Sequence, residues 1–434
     1  MKINTKTNLK THEGAPAKHI TAEQQLRRSL MACMLWEDTF YEDGQSIADR
    51  ITRLVPQVDP SDVASMAIEA REKMKLRHAP LLVVREMARL PKHKAFVAST
   101  LARVIQRPDE LAEFVAIYWK DGKQPLSKQV KKGLAEAFTK FDAYQLAKYN
   151  RKGLVTLRDV LFLCHAKPKN EEQEKLWKQL INDELPVPDT WEVALSAGEN
   201  KKETWERLLS ERKLGGLALL RNLRNMYLAD VNEKLIFEAL DRMNTEKILP
   251  FRFIAAARYV PHWESKVERA MIKCLEGKVK LTGKTVLLVD VSGSMSSELS
   301  FKSDLARCDA ANGLAILLRE ICEEVAIYSF SDRLVRIPDR HGFALRDAIR
   351  NSQDHMGTYL GKAVKQINEI EQYERIVVLT DEQSSDPVPN PKGKGYMINV
   401  SSNQNGVGYG PWIHIDGFSE SIIDYIIEYE KHYA

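Results

Sequence analysis

A polar loop that directly follows an apolar run has the residue types needed to bind a cation. Residues 285–289 form a short run with hydrophobic side chains on both faces, which is typical of a buried strand in a parallel sheet. The run ends on Asp290. Ser292 and Ser294 follow around Gly293, so that one carboxylate and two hydroxyls can point to a common centre. Such oxygen ligands suit a hard divalent cation. Because polar loops after strands are common, this loop alone does not establish a metal site.

Two later segments add oxygen ligands of the same kind. Thr358 lies just before a helical stretch at residues 359–370, and Asp381 follows a strand-like run at residues 375–380. Ligand sites of doubly wound sheets lie outside the carboxyl ends of the strands, where these loops are expected to meet. The sequence therefore predicts a centre for Mg²⁺, with Mn²⁺ or Ca²⁺ as alternatives and with several water ligands. Its predicted protein ligands are Asp290, Ser292, Ser294, Thr358 and Asp381.

The elements that must position these loops alternate between strand and helix. This alternation predicts an α/β domain over residues 284–434, with a parallel, doubly wound sheet covered by helices. The sequence does not determine which strands form the edge of that sheet. The expected strands are 286–290, 324–329, 375–380 and 395–400, and the expected helices are 304–322, 344–350, 359–370 and 421–429.

The preceding part of the chain is expected to be all α-helical. Residues 20–276 show repeated helical segments separated by short breaks that often carry Pro, Gly, Asp or Asn, and no convincing alternating strand. A long series of helices joined by short loops builds a superhelical array, and the lack of a strict period favours an irregular α-solenoid. Residues 1–19 are expected to form a flexible N-terminal arm, and residues 277–283 a linker between the two domains.

The predicted metal ligands carry a family resemblance. Together they resemble the metal-ion-dependent adhesion site of von Willebrand factor A domains, and every position of that pattern is filled, in the correct order along the chain. The resemblance implies a von Willebrand A-like fold for residues 284–434.

The helical part resembles a second family. Residues 154–168, 205–209 and 217–226 are similar to characteristic segments of the TROVE module. A TROVE module followed by a von Willebrand A domain is the arrangement of the Ro autoantigen family and its bacterial relatives. The resemblance implies a HEAT-like ring of helical repeats closed by the A domain. It also implies Y RNA on an outer basic surface, single-stranded ends of misfolded RNA in a central hole, and an exoribonuclease partner such as polynucleotide phosphorylase.

The charge distribution is consistent with an anionic partner. Residues 1–283 contain 49 Lys and Arg against 38 Asp and Glu, whereas residues 284–434 contain 15 against 22. The net charges are therefore +11 and −7. Nucleic acid is the partner that such an excess favours, although a solvated surface explains it as well.

The TROVE resemblance indicates which residues contact RNA. Lys148, Lys152 and His165 match the family's Y RNA contacts, although Lys152 stands where animal members usually have arginine. Lysine keeps the charge but lacks the planar fork for bidentate phosphate contact. Arg151 is expected to compensate. Without the resemblance, His165 is better explained as a helix-end histidine that binds a backbone carbonyl.

Further cations extend the candidate set. Lys128, Lys131 and Lys132 fall within about one turn of a predicted helix and either extend the RNA-binding patch or form a solvated face. Arg221 and Arg224 lie three residues apart and are expected to face the interior of the ring.

The sequence argues against several other classes of protein. Five scattered cysteines do not predict a disulfide framework or a zinc site, and neither a membrane span nor a signal peptide is apparent, so a cytoplasmic protein is expected. No nucleophile elbow, phosphate-binding loop or paired zinc histidines are visible, so no enzyme is predicted. The alternative function is a metal-dependent protein-adhesion or adaptor module, with the helical array as its support.

Overall fold

The structure is a computed structural model, and its contacts divide the chain into two compact units. The helical unit comprises residues 22–31 and 45–199, and the mixed unit comprises residues 1–21, 32–44 and 200–434. Of the predicted N-terminal arm, only Lys10, Gly14 and Ala15 fall within the described residues. The structure describes residues 10, 14–15, 21–30, 44–196, 200–245, 248–300, 303–401, 411–418 and 421–432.

The helical unit consists of short helices that begin at capping residues. Asp142 and Gln145 form a capping box, as do Thr156 and Asp159, in which each side chain accepts a hydrogen bond from the other residue's backbone N–H. The helices are α1 (Ala22–Leu30), α2 (Gly44–Leu54), α3 (Pro60–Glu72), α4 (His78–Arg89), α5 (Lys94–Val104), α6 (Pro108–Tyr118), α7 (Lys128–Phe138), α8 (Ala143–Tyr149), α9 (Leu157–Cys164), α10 (Glu171–Ile181) and α11 (Trp191–Ser196).

Close packing between neighbouring helices organises this unit. Helix α5 packs against α7, and a Cβ at Gly133 of α7 would lie only 2.8 Å from the backbone oxygen of Ala98. Glycine therefore allows the two helices to approach closely. Helices α8 and α9 each pack against α6 and α10. The loop that connects α8 to α9 therefore joins two helices that pack against the same two neighbours.

The mixed unit begins with a further set of helices. Helix α15 packs against both α13 and α16, and α14 packs against α12 and α16. These helices are α12 (Lys201–Ser210), α13 (Gly216–Leu228), α14 (Glu233–Arg242), α15 (Phe251–Tyr259) and α16 (Glu264–Ile272).

A single sheet forms the centre of the mixed unit. Within the described residues its six strands lie in the order β5-β4-β1-β6-β7-β8, with only β5 antiparallel to its neighbour. From β1 the chain passes first to β4 on one side and then to β6 on the other, so the strand order reverses beside β1. The strands are β1 (Leu281–Asp290), β4 (Cys322–Phe330), β5 (Leu334–Arg336), β6 (Arg375–Thr380), β7 (Lys394–Asn399) and β8 (Trp412–Asp416), and a separate hairpin holds β2 (Glu298–Ser300) and β3 (Ser303–Ala306).

Helices cover both faces of this sheet. Helix α17 contacts β1, β4 and β6, while buried residues of α19 share a core with alternate residues of the same strands, including Val286, Leu288 and Val378. Residues 285–290 of β1 are therefore buried on both faces, as their apolar pattern predicted. The helices of this part are α17 (Arg307–Ile321), α18 (Gly342–Arg350), α19 (Leu360–Ile370) and α20 (Ser421–His432).

The predicted fold class, an all-helical region followed by an α/β sheet domain, is confirmed. The predicted helix at 304–322 begins only at Arg307, because hairpin β2–β3 precedes it, and strands β5 and β8 were not predicted. Strand β1 begins inside the predicted linker, and α15 and α16 pack against α17 and α18. The proposed division at 277–283 thus marks the change from helices to sheet, whereas the compact units divide near residue 200.

No helix in the described ranges combines the length and apolar character that a membrane span requires.

Candidate metal centre and nucleic-acid interface

The two predicted carboxylate ligands lie at the reversal point of the sheet. Asp290 is the last residue of β1, and Asp381 directly follows β6. Because Val289 pairs with Leu379 in parallel register, both carboxylates leave the sheet at the same edge. This is the position where doubly wound sheets bind ligands.

Hydrogen bonds fix the first loop around the Asp290 carboxylate. Asp290 Oδ1 accepts from the backbone N–H of Ser292 at 2.9 Å, and Oδ2 accepts from the Thr380 hydroxyl at 2.6 Å. The Oγ atoms of Ser292 and Ser294 lie 3.3 Å apart. Three of the five predicted ligands are therefore brought together by direct contacts. Thr380, which was not predicted, orients one of them.

The second and third loops are tied to the first and to each other. The backbone N–H of Gly293 donates to the Met356 carbonyl at 3.0 Å, and the N–H of Ser385 donates to the Thr358 carbonyl at 2.7 Å. Thr358 is buried. The three loops that the sequence selected thus form one bonded layer at the carboxyl ends of β1 and β6.

Asp386 anchors the third loop to helix α19. Its Oδ1 accepts from the N–H of Gly361 at 2.8 Å, and its Oδ2 accepts from the N–H of Lys362 at 2.7 Å. These are orphan donors of the first helical turn. A Cβ at Gly361 would lie 2.1 Å from the Pro387 carbonyl oxygen, so only glycine permits this approach.

A buried cation lies next to the carboxylates. Arg307 Nη1 is 2.9 Å from Asp381 Oδ2, and the two side chains are 3% and 0% exposed. Arg307 was not among the predicted site residues, because the unpredicted hairpin β2–β3 sets its position. Burial, together with the neighbouring charge of Asp381, raises the pKa of Asp290 to about 7.

The donor set fits a hard cation. It offers two carboxylates and three hydroxyls, all oxygen, at the sheet edge where their loops are bonded together. A bound cation would reduce the electrostatic repulsion between Asp290 and Asp381. No group of three or more His, Cys, Asp or Glu side chains placed to hold a metal occurs in the parts of the chain that the structure describes.

Glu382, next to the site, points to a different partner. Its Oε1 lies 2.9 Å from Nδ1 of His414 on β8, and its backbone adopts a left-handed conformation with φ of 58°. Asp381 instead contacts Arg307. The two adjacent acids therefore face different side chains, as expected for neighbouring residues at a strand end.

The candidate RNA-binding residues of the helical unit lie on exposed helix ends and loops. Lys128 and Lys132 are exposed on α7, and Arg151 and Lys152 are exposed in the loop after α8. Lys148, in the last turn of α8, is half-buried, and its Nζ lies 5.8 Å from the ring centroid of Tyr144 and 5.9 Å from that of Tyr149.

His165 directly follows a helix that packs against α7. Helices α7 and α9 contact each other, so the helix that carries the three lysines lies beside the helix that ends at Cys164. His165 directly follows that end. Its side chain is exposed, and its backbone is left-handed with φ of 54°. The α7 lysines and His165 thus belong to one region.

Arg221 and Arg224 lie on α13 in the mixed unit, and both are exposed. Arg224 Cζ is 5.6 Å from the ring centroid of Tyr259, which is 46% exposed. Nearby, the rings of Tyr227 and His262 lie 4.3 Å apart. Cationic and aromatic groups therefore share an exposed surface at these helix ends.

Comparison with known families decides the identity of the helical region. The TROVE domain matches residues 9–184 and 182–284, which is more than half of the chain. The chain belongs to the TROVE domain family. Members of this family typically bind RNA, and the TROVE resemblance of the helical part is thereby confirmed.

Individual relatives agree with this assignment. Telomerase protein component 1 of Mus musculus is 34% identical over 89 residues, covering 19% of this chain and 3% of that protein. The Rattus norvegicus protein is 23% identical over 301 residues, covering 49% of this chain and 11% of that protein. This TROVE protein therefore spans only a small part of these relatives. The Deinococcus radiodurans RO (RSR) crystal structure matches 95% of this chain and 100% of its own with a TM-score of 0.63 at 16% identity, which shows a shared fold.

Proposed function

We propose that this TROVE protein is a non-catalytic, cytoplasmic scaffold that binds small structured RNA, similar to Y RNA, in RNA quality control or processing. The observation that carries the proposal is the packing of α7, which carries Lys128, Lys131 and Lys132, against α9, which ends next to His165. The proposed contact surface, called the basic surface below, consists of Lys128, Lys131, Lys132, Lys148, Arg151, Lys152 and His165.

Charge and exposure support an RNA backbone as the ligand of the basic surface. Four of its cations, on α7 and in the α8–α9 loop, are exposed to solvent and are therefore accessible to phosphates. Double-stranded RNA is recognised mainly by shape and backbone contacts, since its deep major groove is closed to side chains. A dispersed set of cations on helix ends suits that kind of recognition.

Replacement of two lysines tests the basic surface. Each phosphate contact contributes about 0.7 to 0.9 to the slope of log affinity against log salt concentration. The double substitution Lys148→Ala and Lys152→Ala should therefore weaken binding to every small hairpin RNA and lower the slope by about 1.4 to 1.8. Fluorescence anisotropy at several salt concentrations measures both quantities.

A matched control separates local contacts from net charge. Lys92 and Lys94 are exposed lysines of the same unit, outside the basic surface. Replacing both by alanine removes the same charge but should leave the slope nearly unchanged. If the Lys148 and Lys152 variant keeps the affinity and slope of the parent protein, RNA binds elsewhere.

A second surface is proposed for single-stranded RNA ends. Arg224 lies over the ring of Tyr259, and Arg221 lies one turn earlier on α13. Tyr227, Tyr259 and His262 are exposed, and the rings of Tyr227 and His262 are in contact. Stacking of bases on aromatic side chains with support from arginine is the usual way in which proteins hold single strands. We propose that misfolded RNA ends bind there.

The metal centre is proposed to bind Mg²⁺ through Asp290, Ser292, Ser294, Thr358 and Asp381. When bound, the ion supplies an open coordination position for a carboxylate of a partner protein or for a phosphate. The protein itself orients one of these ligands, since the Thr380 hydroxyl and the backbone N–H of Ser292 both donate to the Asp290 carboxylate. An exoribonuclease such as polynucleotide phosphorylase is the partner we propose for this position.

A further inference from the structure

Arg307 is buried at a position where a cation is electrostatically unfavourable. It is the first residue of α17, and the N-terminus of a helix carries a partial positive charge that disfavours cations. Its side chain is 3% exposed. Burying an ion pair gives little net stability, because the cost of desolvating both charges offsets their attraction. The ion pair between Arg307 and Asp381 is therefore not explained by stability alone.

The surrounding backbone holds Arg307 at the edge of the metal loop. Its N–H donates to the carbonyl of Ser297 at 3.0 Å, directly after the loop that carries Ser292 and Ser294. The preceding N–H, of Ala306, donates to Asp309 at 2.9 Å. Asp309 in turn pairs with Arg258 of α15. The guanidinium is thus directed at Asp381 by a fixed main chain.

We infer that Arg307 is an internal counter-ion that competes with the divalent cation for Asp381, so that the centre exchanges between an arginine-paired and a metal-bound state. This inference rests on the proposed metal centre. A divalent cation and a guanidinium that share one buried carboxylate repel each other strongly, because little water separates them. Metal binding therefore requires Arg307 to leave Asp381, and that requirement weakens the affinity for metal.

An alternative role of Arg307 predicts the opposite change in metal affinity when the residue is replaced. If the guanidinium only oriented Asp381 as a ligand, its removal would weaken metal binding, as loss of such supporting contacts does in metal sites. If it competes, its removal strengthens metal binding. The direction of change in affinity thus distinguishes a competitor from a positioning residue.

Calorimetric titration of the full chain with Mn²⁺ tests this direction. A neighbouring opposite charge typically changes the pKa of a carboxylate by about 1 to 3 units, or about 10-fold to 1,000-fold in affinity for a proton. We therefore expect Arg307→Met to bind Mn²⁺ at least about tenfold more tightly than the parent protein. Equal or weaker binding by this variant would overturn the inference.

Arg375→Met is the matched control. Arg375 is also buried and pairs with an acid, Glu430, but it lies at the opposite end of β6 from Asp381. Its replacement should leave Mn²⁺ affinity within about twofold of the parent, since no metal ligand is involved. A rise in affinity equal to that of Arg307→Met would show a general effect of loosening the domain and would overturn the inference.

A measurement on the unaltered protein covers the case in which Arg307→Met does not fold. Phenylglyoxal modifies exposed arginines, and mass spectrometry locates the modification. Arg307 should be protected in EDTA and react when Mn²⁺ is saturating, while Arg375 stays protected in both. If Arg307 stays protected at saturating Mn²⁺, it keeps Asp381 and the inference fails, whereas the metal centre stands. If neither the parent nor Arg307→Met binds Mn²⁺, the metal centre itself is wrong.

Discussion

The proposed metal centre and the proposed basic surface use polar residues in opposite ways. Asp290 and Asp381 are buried, and each accepts hydrogen bonds from named partners. Lys128, Lys132 and Lys152 are exposed to solvent. A buried carboxylate must be compensated, so the fold fixes its surroundings. An exposed lysine stays hydrated and needs no such compensation, so its position alone does not reveal a function.

The largest effect is expected at the metal centre. Asp290→Ala removes one of only two charged ligands and should lower Mn²⁺ affinity at least about 100-fold, since even supporting residues contribute about 10-fold to 100-fold. Asp354→Ala is the control, because Asp354 is an exposed acid in the segment before Thr358. Calorimetry measures affinity, and circular dichroism checks that the variant is folded. Unchanged affinity in Asp290→Ala would show that Asp290 does not bind the metal.

A smaller effect is expected where a buried loop is anchored. Asp386→Ala leaves the first N–H groups of α19 without their carboxylate, and loss of such a helix cap lowers the free energy of unfolding by about 1 to 2 kcal/mol. Asp339 is the control, because its side chain is 79% exposed and pairs only at the surface with Arg319. Asp339→Ala should cost less than about 0.5 kcal/mol. Urea unfolding measures the free energy of unfolding of both variants. Equal decreases in the two variants would show that Asp386 does not stabilise the start of α19.

The sequence was most informative where burial constrains it. Strand β6 was predicted with its observed bounds, and β1 was predicted to end on Asp290, because runs buried on both faces have a clear apolar pattern. The two strands were expected to be parallel, β1 ends on Asp290, and Asp381 directly follows β6. Asp290 and Asp381 could therefore be assigned to one edge of the sheet from the pattern alone. The ligand set as a whole remains a prediction.

The missed elements are short or polar. Strand β5 has three residues, and the hairpin strands β2 and β3 have three and four, which is too few for alternation to be recognised. The hairpin moved the start of α17 to Arg307. The ion pair with Asp381 depends on that start, so a residue 74 positions away in sequence could not be linked to Asp381 from pattern alone.

The smallest effect is expected at His165, where the basic surface was assigned by resemblance. The structure supports neither a buried role nor a charged contact, since the imidazole is exposed and follows the end of α9. At pH 8 histidine side chains are mostly uncharged. His165→Ala should therefore remove a neutral hydrogen bond to RNA, worth about 0.5 to 1.5 kcal/mol, or about 2-fold to 12-fold in affinity.

The salt dependence separates this contact from a phosphate contact. Lys148→Ala is the reference, because loss of one charged contact should lower the slope by about 0.7 to 0.9. His165→Ala should leave the slope nearly unchanged while the affinity falls. A slope that falls as far as in Lys148→Ala would mean that His165 binds RNA as a cation. An unchanged affinity would place His165 outside the interface, and its left-handed backbone would then serve only to end α9.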